Sequence, residues 1–186
     1  MTKKLWAIIS VAAVAVLVFL DQLTKMLVRS NLADGDCVLI DGVFRFSFHK
    51  NTGAAWGLFS GKVDVLAIVS VLILAIVIYA MIKLPIDKKY NALHIIGICV
   101  SAGAIGNMID RLAFKYVTDF LYFELIDFPV FNVADCYITV SMIVLLALVL
   151  FYYKDDDFSF LSFKKKSKVE ETTKSSQDEQ KVDKTE

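Results

Sequence analysis

The chain has 186 residues, 57% of them hydrophobic, and its 20 Lys and Arg balance its 20 Asp and Glu. Its mean hydropathy is +0.61, whereas a soluble domain is roughly 45–50% apolar, so the composition excludes an ordinary soluble domain and indicates an integral membrane protein. The balanced charge argues against a nucleic-acid partner, and the spacing of the cysteines argues against a disulfide framework.

Four apolar runs predict transmembrane helices at about residues 5–22, 64–82, 92–110 and 133–153. At a rise of about 1.5 Å per residue, each run spans or nearly spans a hydrocarbon core of about 30 Å. The first run is interpreted as a retained anchor that continues as an amphipathic helix through Leu27. Residues 1–156 are expected to form one membrane domain. Residues 157–186 are expected to form a charged cytoplasmic tail, disordered from about residue 167 because of its polar composition.

The distribution of basic residues predicts the orientation of the chain. An even number of spans places both termini on one side, and the basic residues of that side are Lys3, Lys4, Lys83, Lys88, Lys89, Lys154, Lys164, Lys165, Lys166 and Lys168. Those of the other side are Lys25, Arg29, Arg45, Lys50, Lys62, Arg111 and Lys115. Because basic residues are in excess on the cytoplasmic side of membrane proteins, both termini are expected in the cytoplasm.

The two outer connections are expected to be structured. Residues 37–40 and 43–48 flank Asp41-Gly42, a dipeptide that favours a type I′ hairpin, so a small sheet is predicted there. Residues 115–131 are rich in Phe and Tyr and are expected to form an aromatic loop at the level of the lipid headgroups. The predicted fold is therefore an all-α membrane protein with four transmembrane helices, a small β-sheet and an aromatic loop on the outer face.

Two carboxylates, Asp119 and Asp135, are expected at the outer rim of the helices. If they lie close together, both cannot readily ionise, so one pKa rises, and the pair can act as acid and base on a water molecule. The alternatives are that Asp135 caps its helix and that Asp119 is a solvated loop acid. A transporter that relays protons through these acids is a further alternative, but it predicts acids near the middle of the bilayer.

Other polar residues near the same rim have more than one interpretation. Asn107 and Asp110 share a helix face, and Arg111 is either a donor to a carboxylate or phosphate, or a basic side chain that extends to the interface. Asp21 and Lys25 have the spacing of an interfacial helix ion pair. The two histidines of the chain, His49 and His94, lack metal-ligand spacing, so no metal site is expected.

Several stretches, taken in order, resemble the lipoprotein signal peptidase (type II signal peptidase) family. They are Asp21-Gln22-Leu23-Thr24-Lys25, Asn51-Thr52-Gly53-Ala54-Ala55-Trp56-Gly57, Gly106-Asn107-Met108-Ile109-Asp110-Arg111, Val117-Thr118-Asp119-Phe120 and Phe131-Asn132-Val133-Ala134-Asp135. The resemblance implies a membrane aspartic endopeptidase without a cofactor. Such an enzyme removes the signal peptides of prolipoproteins by cutting before the diacylglyceryl-modified cysteine.

The resemblance also implies roles for individual residues. Asp119 and Asp135 match the catalytic dyad. Trp56 is expected to close over the substrate together with the Phe-bearing ribbon. The positions that match substrate-binding or dyad-supporting residues are Asp21, Lys25, Asn51, Gly53, Asn107, Arg111, Asn132 and Ala134.

The resemblance further implies where the protein works and what it meets there. The expected partners are prolipoprotein substrates, membrane lipid and globomycin-type inhibitors. The expected location is the bacterial cytoplasmic (inner) membrane. The active site is expected near its outer face, and nucleic acid is not expected as a partner.

Overall fold

The computed structural model describes residues 2–33, 35–53 and 61–161. The expectations for Trp56 and for the tail beyond residue 161 lie outside these residues. The chain divides into two compact units at Lys154 and Asp155. In the second unit a short 3-10 helix covers Asp155–Leu161, and the first unit contains every other element described below.

Four long helices form the membrane part of the protein: α1 (Lys3–Asn31), α2 (Val63–Lys83), α3 (Asn91–Phe114) and α4 (Val133–Phe151). All four are long and apolar enough to cross a membrane, which confirms the prediction of four transmembrane helices. The predicted extension of the first span is also confirmed, since α1 continues without a break to Asn31. Neither Gly nor Pro occurs in this helix to interrupt it. Thr2 caps the start of this helix, because its Oγ1 accepts a hydrogen bond from the Leu5 amide at 3.3 Å.

Helix α3 lies at the centre of the bundle, and α1, α2 and α4 each pack against it. Small residues allow the neighbouring backbones to come close. Ala102 is fully buried. A Cβ on Gly103 would lie 2.5 Å from the Ala134 carbonyl oxygen, and one on Gly106 would lie 2.5 Å from the Asp21 carboxylate. The small residues of α3 therefore permit close helix packing at this stretch.

A three-stranded antiparallel sheet has the order β1 (Cys37–Ile40), β2 (Phe44–Asn51) and β3 (Val117–Phe123). The predicted small sheet is confirmed, but the aromatic loop expected at 115–131 is wrong over its first half, where β3 runs. The residues of β3 are mostly β-branched or aromatic, and such residues are enriched in strands. Strand β2 provides the partner, with Asn51 opposite Val117 and His49 opposite Asp119.

The turn between β1 and β2 is not the predicted type I′ turn. Type I′ needs positive φ at both central residues, whereas φ is positive at Gly42, at 66°, and not at Asp41. The Val43 amide donates to the Ile40 carbonyl at 3.0 Å, and Ile40 pairs with Phe44. The connection is therefore a three-residue loop with one left-handed glycine.

The segment before α4 is attached to the sheet through Phe131. Its carbonyl oxygen accepts hydrogen bonds from the amides of Phe120, at 2.9 Å, and Leu121, at 2.8 Å, and its own amide donates to Leu121 at 3.1 Å. This bridge holds the first residue of the α4 cap, Asn132, beside the middle of β3. The sheet and the fourth helix thus meet where the predicted carboxylates lie.

Candidate active site

Asp119 lies in the middle of β3 and is almost completely buried, with 1% of its surface exposed. Its Oδ1 accepts a hydrogen bond from Asn132 Nδ2 at 2.6 Å, and its Oδ2 accepts one from Asn51 Nδ2 at 2.8 Å. The alternative of a solvated loop acid is therefore wrong. Each carboxylate oxygen is held by one amide group, so the orientation of the carboxylate is fixed.

Asp135 lies in the first turn of α4. Its Oδ2 accepts from the Asn132 backbone amide at 3.1 Å, and Asn132 Oδ1 accepts from the Asp135 amide at 3.1 Å. This reciprocal pair is a capping box, so the predicted capping role of Asp135 is confirmed. Its other oxygen, Oδ1, accepts from Asn107 Nδ2 at 2.8 Å. The carboxylate therefore also has a partner from α3.

Asn132 connects the two carboxylates. One side-chain NH₂ group donates to Asp119 Oδ1 at 2.6 Å and to Asn107 Oδ1 at 3.2 Å, while the backbone amide of the same residue donates to Asp135. Asn132 is fully buried. A shift of either aspartate would break a buried hydrogen bond, which is costly, so this asparagine fixes the position of one carboxylate relative to the other.

A buried lysine lies behind Asn107. Lys25 Nζ donates to Asn107 Oδ1 at 2.9 Å, and lies 3.0 Å from Asp21 Oδ2 and 3.6 Å from Asp110 Oδ2. The side chains of all three charged residues are 0% exposed. The expected ion pair between Asp21 and Lys25 forms, but the prediction that it lies at the interface is wrong. The pair is buried because α3 and the start of α4 cover this face of α1. A buried pair needs its partners far more than a surface pair does.

Asp21 also supports the start of α4. Its Oδ1 accepts from the Ala134 amide at 2.9 Å, one of the amides that lack a partner within the first turn of a helix. Gln22 Nε2 donates to Asp21 Oδ2 at 3.1 Å and to the Gly106 carbonyl at 3.0 Å. Helices α1, α3 and α4 are thus joined by polar contacts just behind Asp135.

Sequence reasoning missed the contacts that hold the start of β3. Asp110 Oδ2 accepts from the Thr118 amide at 2.8 Å, and Arg29 Nη1 donates to Thr118 Oγ1 at 2.9 Å. Arg29 also lies 3.7 Å from Asp110 Oδ1 and stacks over the Phe114 ring at 4.4 Å. The signal that could have found Arg29 is its spacing, four residues beyond Lys25 on the same helix face.

Arg111 and Gly53 meet on the side of the site next to β2. Arg111 Nη2 donates to the Gly53 carbonyl at 3.5 Å, and the Gly53 amide donates to Asn51 Oδ1 at 2.8 Å. Arg111 is half-buried, and the carboxylates of Asp135 and Asp119 attract its guanidinium electrostatically. The ten residues that match the dyad and its supporting positions therefore lie in one connected cluster.

The pKa of Asp119 is raised to about 7, chiefly by burial and then by the nearby charge of Asp135, while the hydrogen bonds from Asn51 and Asn132 act in the opposite direction. A carboxyl group with this pKa changes its charge near neutral pH. It can therefore both hold and release a proton under physiological conditions.

Two solved structures have the same overall fold, and both are described as bacterial membrane enzymes. One superposes with a TM-score of 0.67 at 31% identity, covering 85% of this chain and 94% of that one. The other superposes with a TM-score of 0.66 at 32% identity, covering 77% of this chain and 94% of that one. Together with the four apolar helices, these structures make the chain a multi-pass bacterial membrane protein of an enzyme fold.

A family model for signal peptidase II, peptidase family A8, matches residues 13–151. The lipoprotein signal peptidase of Lactobacillus johnsonii is 37% identical over 153 residues, which are 81% of this chain and 97% of that protein. The lipoprotein signal peptidase of Trichormus variabilis is 41% identical over 129 residues, or 69% of this chain and 80% of that protein. The chain belongs to the signal peptidase II family. The predicted function as a membrane aspartic peptidase of this type is confirmed.

The hydrogen bond from Asn51 to Asp119 leads to a prediction about pH dependence. Asn51 stabilises the ionised form of Asp119, so Asn51→Ala raises the pKa of this carboxyl group. The limb of the pH profile of kcat/KM that reports Asp119 is expected to move to higher pH by about one unit, because a hydrogen bond to a charged group contributes about 1.5–3 kcal/mol before water replaces part of it. Peptide cleavage between pH 5 and 9 measures the shift.

A matched control is Asn31→Ala, since Asn31 is exposed and donates to the Leu27 carbonyl at the end of α1. Its pH profile should superpose on that of the wild type. An unshifted profile for a folded Asn51→Ala variant would contradict the assignment of Asn51 to Asp119.

Proposed function

We propose that Asp119 and Asp135 are the catalytic dyad with which this enzyme cuts prolipoproteins before the diacylglyceryl-modified cysteine. The observation that carries this proposal is the bridge through Asn132, which donates to Asp119 from its side chain and to Asp135 from its backbone. Two carboxylates tied to one small residue share a site, and a shared site favours a single proton between them.

The proposed reaction follows the general acid–base chemistry of an aspartate pair. The ionised aspartate takes a proton from a water molecule, whose oxygen attacks the carbonyl carbon of the peptide bond before the cysteine. The protonated aspartate gives its proton to the carbonyl oxygen. The first aspartate then passes its proton to the leaving amine, the C–N bond breaks, and the second aspartate recovers its proton from the hydroxyl group.

The remaining residues of the cluster have supporting roles in this proposal. Asn51, Asn107 and Asn132 orient the carboxylates, while Asp21 and Ala134 fix the start of α4. Lys25 orients Asn107 by donating to its carbonyl oxygen, which leaves the NH₂ group of Asn107 facing Asp135. Arg111 and Gly53 border the same site and are proposed to contact the substrate main chain.

We further propose that both termini lie in the cytoplasm and that the dyad lies near the outer face of the bacterial inner membrane. The excess of basic residues at the terminal side supports this orientation. Residues 1–156 form the peptidase domain in this proposal, and residues 157–186 form a cytoplasmic tail. Membrane lipid surrounds the domain, and globomycin-type cyclic peptides are proposed to inhibit it at the dyad.

The experiment that tests the substrate is cleavage of two matched prolipoprotein peptides in liposomes, one with and one without the diacylglyceryl group on its cysteine. Mass spectrometry of the products identifies the cut bond. We expect cleavage immediately before the lipidated cysteine and little cleavage of the unmodified peptide. Equal cleavage of the two peptides, or a cut at another bond, would contradict the proposed specificity.

A further inference from the structure

A groove runs along the bundle, and none of the ten clustered residues lines it. It has a volume of about 550 Å³ and is lined by α1, α2 and α3, including Lys3, Trp6, Val11, Ile78, Met81 and His94. The groove exists because α1 and α2 each pack on α3 but contact one another little. Small residues of α1, Ala7 and Ser10, face this gap and leave it unfilled.

The groove is open to the surroundings of the bundle along an apolar side. Val11 and Ile82 both line it, and each is 71% exposed. Along α1 its lining extends from Lys3 to Val14, a distance of about 16 Å at the rise of a helix. This length is about half of the roughly 30 Å hydrocarbon core. The groove therefore has the depth of a single leaflet.

The charge at the mouth of the groove is positive. Lys3 lies in its lining, and none of the described residues that line it is acidic. Trp6 stacks on His94 with ring centroids 4.8 Å apart, and tryptophan prefers the level of the lipid headgroups. An occupant with an anionic head and an apolar tail matches this arrangement.

A signal-peptide helix matches the groove less well. A signal peptide begins with a basic segment, and Lys3, which lies in the lining, would repel that segment. Charge therefore favours an anionic lipid over the substrate helix.

We propose that this groove binds one anionic phospholipid of the surrounding bilayer, with its phosphate beside Lys3 and an acyl chain along α1 between Trp6 and Val14. The site is separate from the dyad and does not depend on the proposed substrate. Each basic residue near an anionic headgroup favours binding by about fivefold, so the preference for an anionic lipid over a zwitterionic one is expected to be about fivefold.

Trp6 provides the measurement, because the chain has two tryptophans and Trp56→Phe leaves Trp6 as the one remaining tryptophan, which is excited selectively over tyrosine. The protein is placed in liposomes of unlabelled phosphatidylcholine with increasing fractions of brominated phosphatidylglycerol or brominated phosphatidylcholine. Bromine quenches tryptophan on contact. We expect half-maximal quenching at about a fivefold lower fraction of brominated phosphatidylglycerol.

The control compares neighbouring lysines. Lys3→Gln should abolish the difference between the two lipids, whereas Lys4→Gln should preserve it, since Lys4 is equally exposed but outside the lining. Equal quenching by both lipids in the unsubstituted groove, or equal effects of the two lysine variants, would overturn the proposal. Relief of quenching by an added signal peptide would assign the groove to the substrate and would also overturn it.

A second measurement does not require Trp56→Phe. Native mass spectrometry of the unmodified protein with equal amounts of the two lipids should show retained phosphatidylglycerol for the wild type and Lys4→Gln. The excess of phosphatidylglycerol over phosphatidylcholine should be lost for Lys3→Gln. A wild type that retains the two lipids equally would count against the site.

Discussion

Asp119→Asn and Asp135→Asn are each expected to lower kcat/KM for a lipidated prolipoprotein by about 10³-fold or more, because residues that act as one catalytic unit are each indispensable. An asparagine can neither take a proton from water nor give one to the carbonyl oxygen. The measurement is cleavage of the lipidated peptide in liposomes by the wild type and by each variant.

Two controls accompany these variants. Asp64→Asn makes the same chemical change at a residue whose side chain is 82% exposed and paired with Lys115, and it should retain full activity. Asn51 and Asn132 both donate to Asp119, so the NH₂ group of the new asparagine in Asp119→Asn would face one of these donors and could destabilise the fold. The thermal unfolding of each variant is therefore also measured. Folded variants that bind the lipidated peptide and still cut it would refute the dyad.

Lys25→Met is expected to destabilise the protein by about 3–5 kcal/mol, because removal of one partner leaves buried charges without compensation. Asp21 and Asp110 would both lose the ammonium group, and Asn107 would lose the donor that fixes its orientation. Thermal and denaturant unfolding in detergent measure the loss. Activity should fall as well, since Asn107 holds Asp135.

Lys115→Met is the matched control for this variant, because Lys115 pairs with Asp64 at 2.9 Å while both side chains are largely exposed. A surface pair of this kind contributes about 0–1 kcal/mol. Adding Asp21→Asn to Lys25→Met should restore part of the stability, since it removes one unpaired charge and keeps an oxygen for the Ala134 amide. If Lys25→Met and Lys115→Met have equal effects, the buried cluster is not needed for stability.

The helices could be predicted because a membrane leaves the chain few choices. An apolar run of about 20 residues must satisfy its backbone hydrogen bonds internally, so it becomes a helix wherever it packs. Strand β3 could not be predicted in the same way. Residues 117–123 become a strand because β2 offers a paired edge, and that edge depends on how the chain folds rather than on the segment itself.

The membership of the site could be predicted from motifs, but its geometry could not. Spacing placed Asn132 near Asp135, and the capping box follows directly from that spacing. Its bond to Asp119 depends instead on the bridge between Phe131 and β3. Likewise, the separation of Asp21 and Lys25 is the same in a surface pair and in a buried one, and only the packing of α3 over them decides which it is.

The central position of α3 has a consequence for the biogenesis of the enzyme. The donors to the two carboxylates come from β2 (Asn51), α3 (Asn107) and the cap of α4 (Asn132), and Lys25 of α1 holds Asn107, so these residues are synthesised far apart in time. Until Asn132 and the first turn of α4 have been synthesised, Asp119 lacks its Asn132 donor and Asp135 does not yet exist. With the proposed dyad, such a nascent chain has no complete catalytic centre, and we expect proteolysis only after the fourth helix has been inserted.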